Sequence, residues 1–140
     1  VSWRYLLDTN VVSRLARRSP PARVLRRLEE CDGLCAISSI TAEELSFGAR
    51  IAPADCREAL EEFVGVVLRR FEVLAYDRAA ALWVAERRSQ LRWARRTVEH
   101  PDLCIAGVAG SLGMVLVSNN LRHFELLQGL EVEDWESADR

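Results

Sequence analysis

Short apolar runs alternate along this chain with longer stretches in which apolar residues recur every three or four positions. Trp3 to Asp8, Leu34 to Ser38, Phe71 to Leu74 and Met114 to Ser118 are the short runs, each the length of a strand rather than of a buried helix. Because periodic stretches separate them, strand and helix alternate, which predicts an α/β domain on a mainly parallel sheet. Glu131 to Trp135 predicts a last, edge strand.

The helical stretches carry their own punctuation. A short helix from Val11 to Arg17 is broken by Ser19-Pro20-Pro21, and the prolines open a second helix that runs to about Cys31. Thr41 to Arg50 and Pro53 to Arg69 predict two more. Asp77 is placed to cap a helix running through Trp83 toward Leu91. Arg92 to Glu99 is the least regular stretch and predicts a loop or lid. Pro101 to Leu112 predicts a helix ended by Gly113, where a C-terminal glycine is expected. With 140 residues and no internal repeat, linker or low-complexity tract, one domain is expected, large enough to bury roughly 70% of its unfolded surface.

Composition removes several classes. A hydrophobic fraction of 49% is too high for disorder, yet no apolar run approaches the roughly 20 residues of a membrane helix. No leader with a cleavage site precedes Asp8, so a cytoplasmic address is the expectation. Cys31, Cys35, Cys56 and Cys104 form no CxxC, and with only His100 and His123 beside them there is no zinc spacing. They read as small buried thiols in a reducing compartment, with a Cys31–Cys35 disulfide as the alternative.

Net charge is only -2, and its distribution says more than its sum. Six arginines and no acid lie between Arg14 and Arg27, and five arginines face one glutamate between Glu86 and Arg96. Glu125 to Arg140 reverses the balance with six acids and one arginine. All 19 basic residues are arginine, whose fork binds phosphate in a bidentate manner. Either these stretches guide a polyanion toward an acidic site or they are solvated helix faces.

Three acids stand where a strand hands over to a helix or where a helix begins. Asp8 ends the first apolar run, at the carboxyl end of a strand where parallel sheets bind ligands; it serves equally as a helix N-cap. At about 100° per residue, Ala42, Leu45 and Ala49 share one helix face, which sends Glu43 into water and leaves Glu44 on the flank, within reach of a cleft. Phe47 falls opposite that face and is expected to be exposed. Asp102 falls with Ile105, Ala106 and Ala109, where a charge needs compensation from a helix N-terminus or a cation. Ser118-Asn119-Asn120 follows another strand and reads either as a turn or as amide support for a site. If the fold gathers Asp8, Glu44 and Asp102, their hard oxygens suit magnesium or manganese and the cutting of phosphodiesters.

These residues also carry a likeness. Leu7-Asp8-Thr9-Asn10, Ser38-Ser39-Ile40-Thr41 with Glu44 and Gly48-Ala49, Pro101-Asp102 with Ile105-Ala106, and Val117-Ser118-Asn119-Asn120 with Phe124 follow one another in an order that resembles the PIN-domain family. The ending Gly129-Leu130 then Glu133-Asp134-Trp135 fits too, and the likeness is closest to the VapC toxin branch of bacterial toxin–antitoxin pairs. The resemblance implies a three-layer fold, with a mainly parallel sheet of about four to five strands flanked by helices. It implies a Mg2+- or Mn2+-dependent endoribonuclease with Asp8, Glu44 and Asp102 as catalytic acids, a VapB-like antitoxin as inhibitor, and a homodimer. Where the family often has a fourth acid this chain has Asn120, which removes a negative charge and weakens any second metal position.

The reading that follows is metal-assisted RNA hydrolysis leaving 5′-phosphate and 3′-hydroxyl ends. Asp8 and Asp102 hold the ion, and Glu44 holds or orients the attacking water. Thr9, Asn10, Ser118 and Asn120 support the acids. Arg87, Arg88, Arg92, Arg95 and Arg96 are candidates for flanking phosphates, with Trp93 available to stack on a base. Two rivals share the fold class: a phospho-accepting receiver, whose chemistry uses a lysine this chain lacks, and an inactive binding module whose acids are structural.

Overall fold

The computed structural model describes residues 2–137; Val1 and residues 138–140, the end of the acidic stretch, lie outside them. Five parallel strands form one sheet: β1 (Tyr5–Leu7), β2 (Cys35–Ser38), β3 (Glu72–Leu74), β4 (Val115–Val117) and β5 (Val132–Glu133), in the order β3-β2-β1-β4-β5. The chain builds outward from β1 through β2 to β3, then returns to lay β4 against the other side of β1. That reversal makes the crevice beyond the carboxyl ends of β1 and β4 the place where an open α/β sheet binds ligands.

The helices are α1 (Thr9–Ser13), continued by a 3-10 turn (Arg14–Ala16), α2 (Ala22–Glu30), α3 (Ser39–Arg50), α4 (Ala54–Arg70), α5 (Arg78–Trp93), α6 (His100–Leu112) and α7 (Leu121–Phe124). Successive strand residues point to opposite faces, which divides the core in two. Tyr5, Leu7, Ile37, Val115 and Val117 pack with α1 to α4 on one face. Leu6, Ala36 and Leu116 pack with α5 and α6 on the other. Helices on both faces explain why β1, β2 and β4 read as continuous apolar runs, with no alternation.

The caps fall where their chemistry places them. Ser38 accepts from Thr41 N–H at 3.1 Å to open α3, and Asp77 accepts from Ala80 N–H at 3.0 Å to open α5. Gly113, at φ 67°, ends α6 in a left-handed turn that favours glycine. Other boundaries moved. Trp3 and Arg4 lie outside β1, α1 begins at Thr9 rather than Val11, and α5 runs on to Trp93. The Arg92–Glu99 loop therefore begins at Ala94, and the edge strand β5 keeps only two of its five expected residues. α7, four residues long, is too short to leave a periodic trace.

The cysteines follow their burial. All four are free thiols; Cys31, Cys35 and Cys104 are buried, whereas Cys56 is only half-buried. Desolvation pushes the Cys35 thiol up to about 12, an inert group rather than a nucleophile.

Candidate active site

Asp8 occupies the residue after β1, where its backbone N–H continues the sheet by donating to Val117 carbonyl at 2.9 Å. That ladder bond turns the side chain into the crevice at the carboxyl edge of the sheet. One carboxylate oxygen, Oδ1, accepts from Thr9 N–H at 2.8 Å; the other, Oδ2, accepts from Ser118 Oγ at 2.9 Å. Asp8 is thus both the cap of α1 and a buried carboxylate, only 3% exposed. Its carboxyl is pushed up to about 6, first by desolvation and then by the negative charges of Asp102 and Glu44, against the lowering bonds from Ser118 and Thr9. Asp102 and Glu44 therefore lie near enough for their charges to act on the Asp8 carboxyl.

Glu44 is oriented by a directed chain of hydroxyls. Thr9 Oγ1 donates to Glu44 Oε1 at 2.7 Å and lies 2.9 Å from Thr41 Oγ1, and Ser38 Oγ donates to Thr41 Oγ1 at 3.3 Å. Each hydroxyl has one proton, and the Thr9 proton is committed to a carboxylate that can only accept. Thr41 must therefore donate to Thr9, so every donor points toward Glu44. Ser38 and Thr41 are fully buried, which keeps water from competing for these bonds. Glu43 is exposed and Glu44 half-buried, as the helical phase requires. Glu44 borders two openings: a cleft of about 530 Å³ reaching Phe47, Tyr76 and His100, and an apolar one of about 260 Å³ between α3 and α4.

Asp102 sits in the first turn of α6, one-quarter exposed at its side chain. Leu103 to Ala109 are all buried, so the apolar stripe of α6 singles out no position and does not place Asp102. Its position comes instead from the helix start and from His123 Nδ1, 3.2 Å from Asp102 Oδ2. The same nitrogen lies 2.8 Å from Asn120 Nδ2, and Asn120 N–H donates to Ser118 Oγ at 3.0 Å. His123, Thr41 and Ser38 as a donor contact the candidate acids or their partners and were not singled out along the chain. Two of them lie in the motif segment Ser38-Ser39-Ile40-Thr41, but only the folded contacts show where their protons go.

The supporting residues divide. Thr9, Ser118 and Asn120 bond into the site, whereas Asn10 is exposed and its side chain makes no hydrogen bond among the described residues. Asn119 turns away, its Nδ2 donating at 3.3 Å to Glu136, which also pairs with Arg14. Of the arginines on α5, Arg87 is engaged: it stacks 4.1 Å over the Trp83 ring and donates to Gln128 carbonyl at 3.1 Å. Arg88, Arg92, Arg95 and Arg96 are exposed, and Trp93 is 87% exposed.

The donor set tests the site for a cation. Asp8 and Glu44 form no ion pair among the described residues, so their charge has no protein counterion. Hard carboxylate oxygens suit Mg2+ or Mn2+. As placed, no three His, Cys, Asp or Glu side chains among the described residues are arranged to hold a metal ion. An ion that uses one or two carboxylates and keeps several waters needs no such cluster, and Mg2+ binds in that way. The residues fit a hydrated divalent cation.

A family model for the PIN domain matches residues 5–129. The chain belongs to the PIN-domain family. This PIN domain is 37% identical over 134 residues to the tRNA(fMet)-specific endonuclease VapC of Salmonella typhimurium, covering 94% of the chain and 98% of that relative. It is 34% identical over the same length to Ribonuclease VapC2 of Haemophilus influenzae, with 94% and 98% covered. Its fold superposes on the crystal structure of DNA-bound VapBC from Salmonella typhimurium with a TM-score of 0.88, at 37% identity and with 95% of this chain and 98% of that chain covered. The expected parallel sheet of four to five strands between helix layers is the observed one. No helix among the described residues is long and apolar enough to cross a membrane.

Proposed function

We propose that this PIN domain is an endoribonuclease of the VapC type, the toxin of a toxin–antitoxin pair, and that it depends on Mg2+ or Mn2+. The observation that carries this reading is the buried Asp8 carboxylate, held by Ser118 and Thr9, raised by the nearby charges of Asp102 and Glu44, and paired with no arginine among the described residues. A carboxylate with its charge so exposed to like charges stabilises a fold poorly and suits a cation site well.

Asp8 and Asp102 would hold the ion. When bound, it would supply Lewis-acid stabilisation of charge on the phosphodiester. Glu44, fixed by the hydroxyl chain ending at Thr9, takes the proton of the attacking water and holds it beside the scissile phosphate. Asp8 keeps one orientation because both its oxygens already accept hydrogen bonds. Arg88, Arg92, Arg95 and Arg96 hold flanking phosphates and Trp93 offers a stacking face, all from exposed positions. In-line attack leaves 5′-phosphate and 3′-hydroxyl ends. Likeness to the tRNA(fMet)-specific endonuclease of Salmonella typhimurium makes tRNA(fMet) the first substrate to test, in the cytoplasm. The antitoxin partner and a homodimer belong to the same reading, supported by the apolar opening beside Glu44 and by Phe47 at 59% exposure.

The test is RNA cleavage by the purified chain, free of any inhibitor, with Mn2+ and with Mg2+. Asp8→Asn and Asp102→Asn should each abolish cleavage, Glu44→Gln should cut it severely, and Glu43→Gln should leave it near normal. A wild type that cuts no RNA with either ion ends this reading and leaves a binding module.

A further inference from the structure

We propose that His123 is a positioning residue for Asp102, fixing the orientation of that carboxylate toward the crevice; this rests on the ribonuclease reading above. The geometry begins with α7. Phe124, 1% exposed, and Leu127, 3% exposed, anchor the segment in the core against α5 and α6. That anchoring carries the neighbouring His123 onto the first turn of α6, where Nδ1 stands 3.2 Å from Asp102 Oδ2. Among the described residues, His123 is the one side chain hydrogen-bonded to Asp102. A quarter-exposed carboxylate on a helix start keeps two or three rotamers unless something selects one. His123 selects it.

The proton arrangement follows from what each group can do. A carboxylate only accepts, so Nδ1 must carry the proton for the Asp102 contact to bond. Asn120 Nδ2 lies 2.8 Å from the same nitrogen, and two donors cannot bond each other, so the Asn120 amide must be turned over, carbonyl oxygen toward Nδ1, for that N–H to serve Asp102. Asn120 is itself held, because its backbone N–H donates to Ser118 Oγ, and Ser118 Oγ donates to Asp8 Oδ2. With the amide so turned, the segment 118–123 contacts Asp8 through Ser118 at one end and Asp102 through His123 at the other. Asn120, where related chains often carry an acid, here works on His123 and leaves charge to the other residues.

The ring's two nitrogens are distinguishable by substitution. Asparagine places an amide donor near the position of Nδ1, glutamine near that of Nε2, and alanine supplies neither. The experiment measures Mn2+ binding by the electron-spin signal of the free ion, together with kcat and KM for RNA cleavage, in wild type, His123→Ala, His123→Gln and His123→Asn. Alanine and glutamine should each weaken Mn2+ binding and lower kcat by about 10- to 100-fold, the range for groups that orient metal ligands, with KM within about twofold. Asparagine should restore both to within about threefold of wild type. His123 is half-exposed, so all three variants should keep the wild-type thermal midpoint within a few degrees.

Equal losses in all three variants, or a rise in KM with kcat and Mn2+ binding unchanged, would overturn the assignment and make His123 a packing or substrate contact. Wild-type behaviour in the alanine variant overturns it while leaving the ribonuclease reading intact. A wild type that neither binds Mn2+ nor cuts RNA removes both.

Discussion

The Ser118 hydroxyl donates to Asp8 Oδ2 at 2.9 Å, joining residues 110 positions apart at the carboxyl ends of two adjacent strands. The register makes this bond inevitable. Leu7 lies opposite Val117, so the residues that follow each strand emerge side by side. Ser118 is fully buried and its bond holds the Asp8 carboxyl down against desolvation. Ser118→Ala should therefore raise the Asp8 titration further, observable by carboxyl NMR, and weaken Mn2+ binding about tenfold or more. The loss of a bond to a charged group should also cost about 1.5–3 kcal/mol in urea unfolding at pH 8.

The sign of the pH dependence follows from Asp8. Its carboxyl titrates near 3.8 when unfolded and at about 6 when folded, so the folded chain holds the proton to higher pH. Stability from this group is fully present below about 4 and falls as pH rises toward 6. Above 6 the penalty levels off, on the order of 2–3 kcal/mol. In EDTA, Asp8→Asn should be more stable than wild type at pH 8, by a margin that shrinks toward zero at pH 4. Urea midpoints at the two pH values check this, and an equal margin at both would contradict it.

Metal addition should reverse that ranking. Mn2+ stabilises the folded chain in proportion to its affinity for the carboxylates, so at pH 8 it should raise the thermal midpoint of wild type and leave that of Asp8→Asn nearly unmoved. The rise should fade below pH 6, where protons compete for Asp8. Differential scanning fluorimetry across pH, with and without Mn2+, reads both effects.

Thr41→Val tests the hydroxyl chain. The substitution keeps the shape but removes the donor to Thr9 and the acceptor for Ser38, both in a dry interior. It should cost about 1–3 kcal/mol of stability and lower kcat about tenfold through loss of Glu44 orientation. Thr41→Ser, which keeps the hydroxyl, should recover most of the rate. Equal rates in the valine and serine variants would separate Glu44 from the chain.

The α5–α6 contact carries Asp102 into place and tolerates no added bulk. A Cβ on Gly110 would stand 2.3 Å from the Trp83 ring, and one on Gly107 would stand 2.5 Å from Val84 and 2.9 Å from the Ala80 carbonyl. Gly107→Ala should destabilise the fold by about 1–3 kcal/mol, because backbone cannot yield as a side chain can. Thermal unfolding should show a midpoint lower by about 3–10 °C.

Much of this was legible along the chain because it is local. Strand runs, helix periods, the caps Ser38 and Asp77 and the stop at Gly113 depend on residues within a turn or two of one another. The separation of Glu43 from Glu44 is likewise a matter of helical phase. α7 was not legible, because four residues span about one turn and show no period; nor was the engagement of Arg87, whose partners lie 41 residues away at Gln128 and beneath it at Trp83. For Asp102 the helical face was no guide, since Leu103 to Ala109 are all buried and mark no single stripe.

By itself, the sequence determined the alternation of strands and helices, the identity of the three acids and their places at element junctions. Only the tertiary structure decided that the charges of Glu44 and Asp102 reach Asp8, that every hydroxyl proton near Glu44 runs toward it, and that His123 sits against Asp102. The physical reason is range: backbone preference and helical phase act over a few residues. A carboxylate's neighbours are set by sheet register and helix packing, which bring together groups separated by as many as 110 positions.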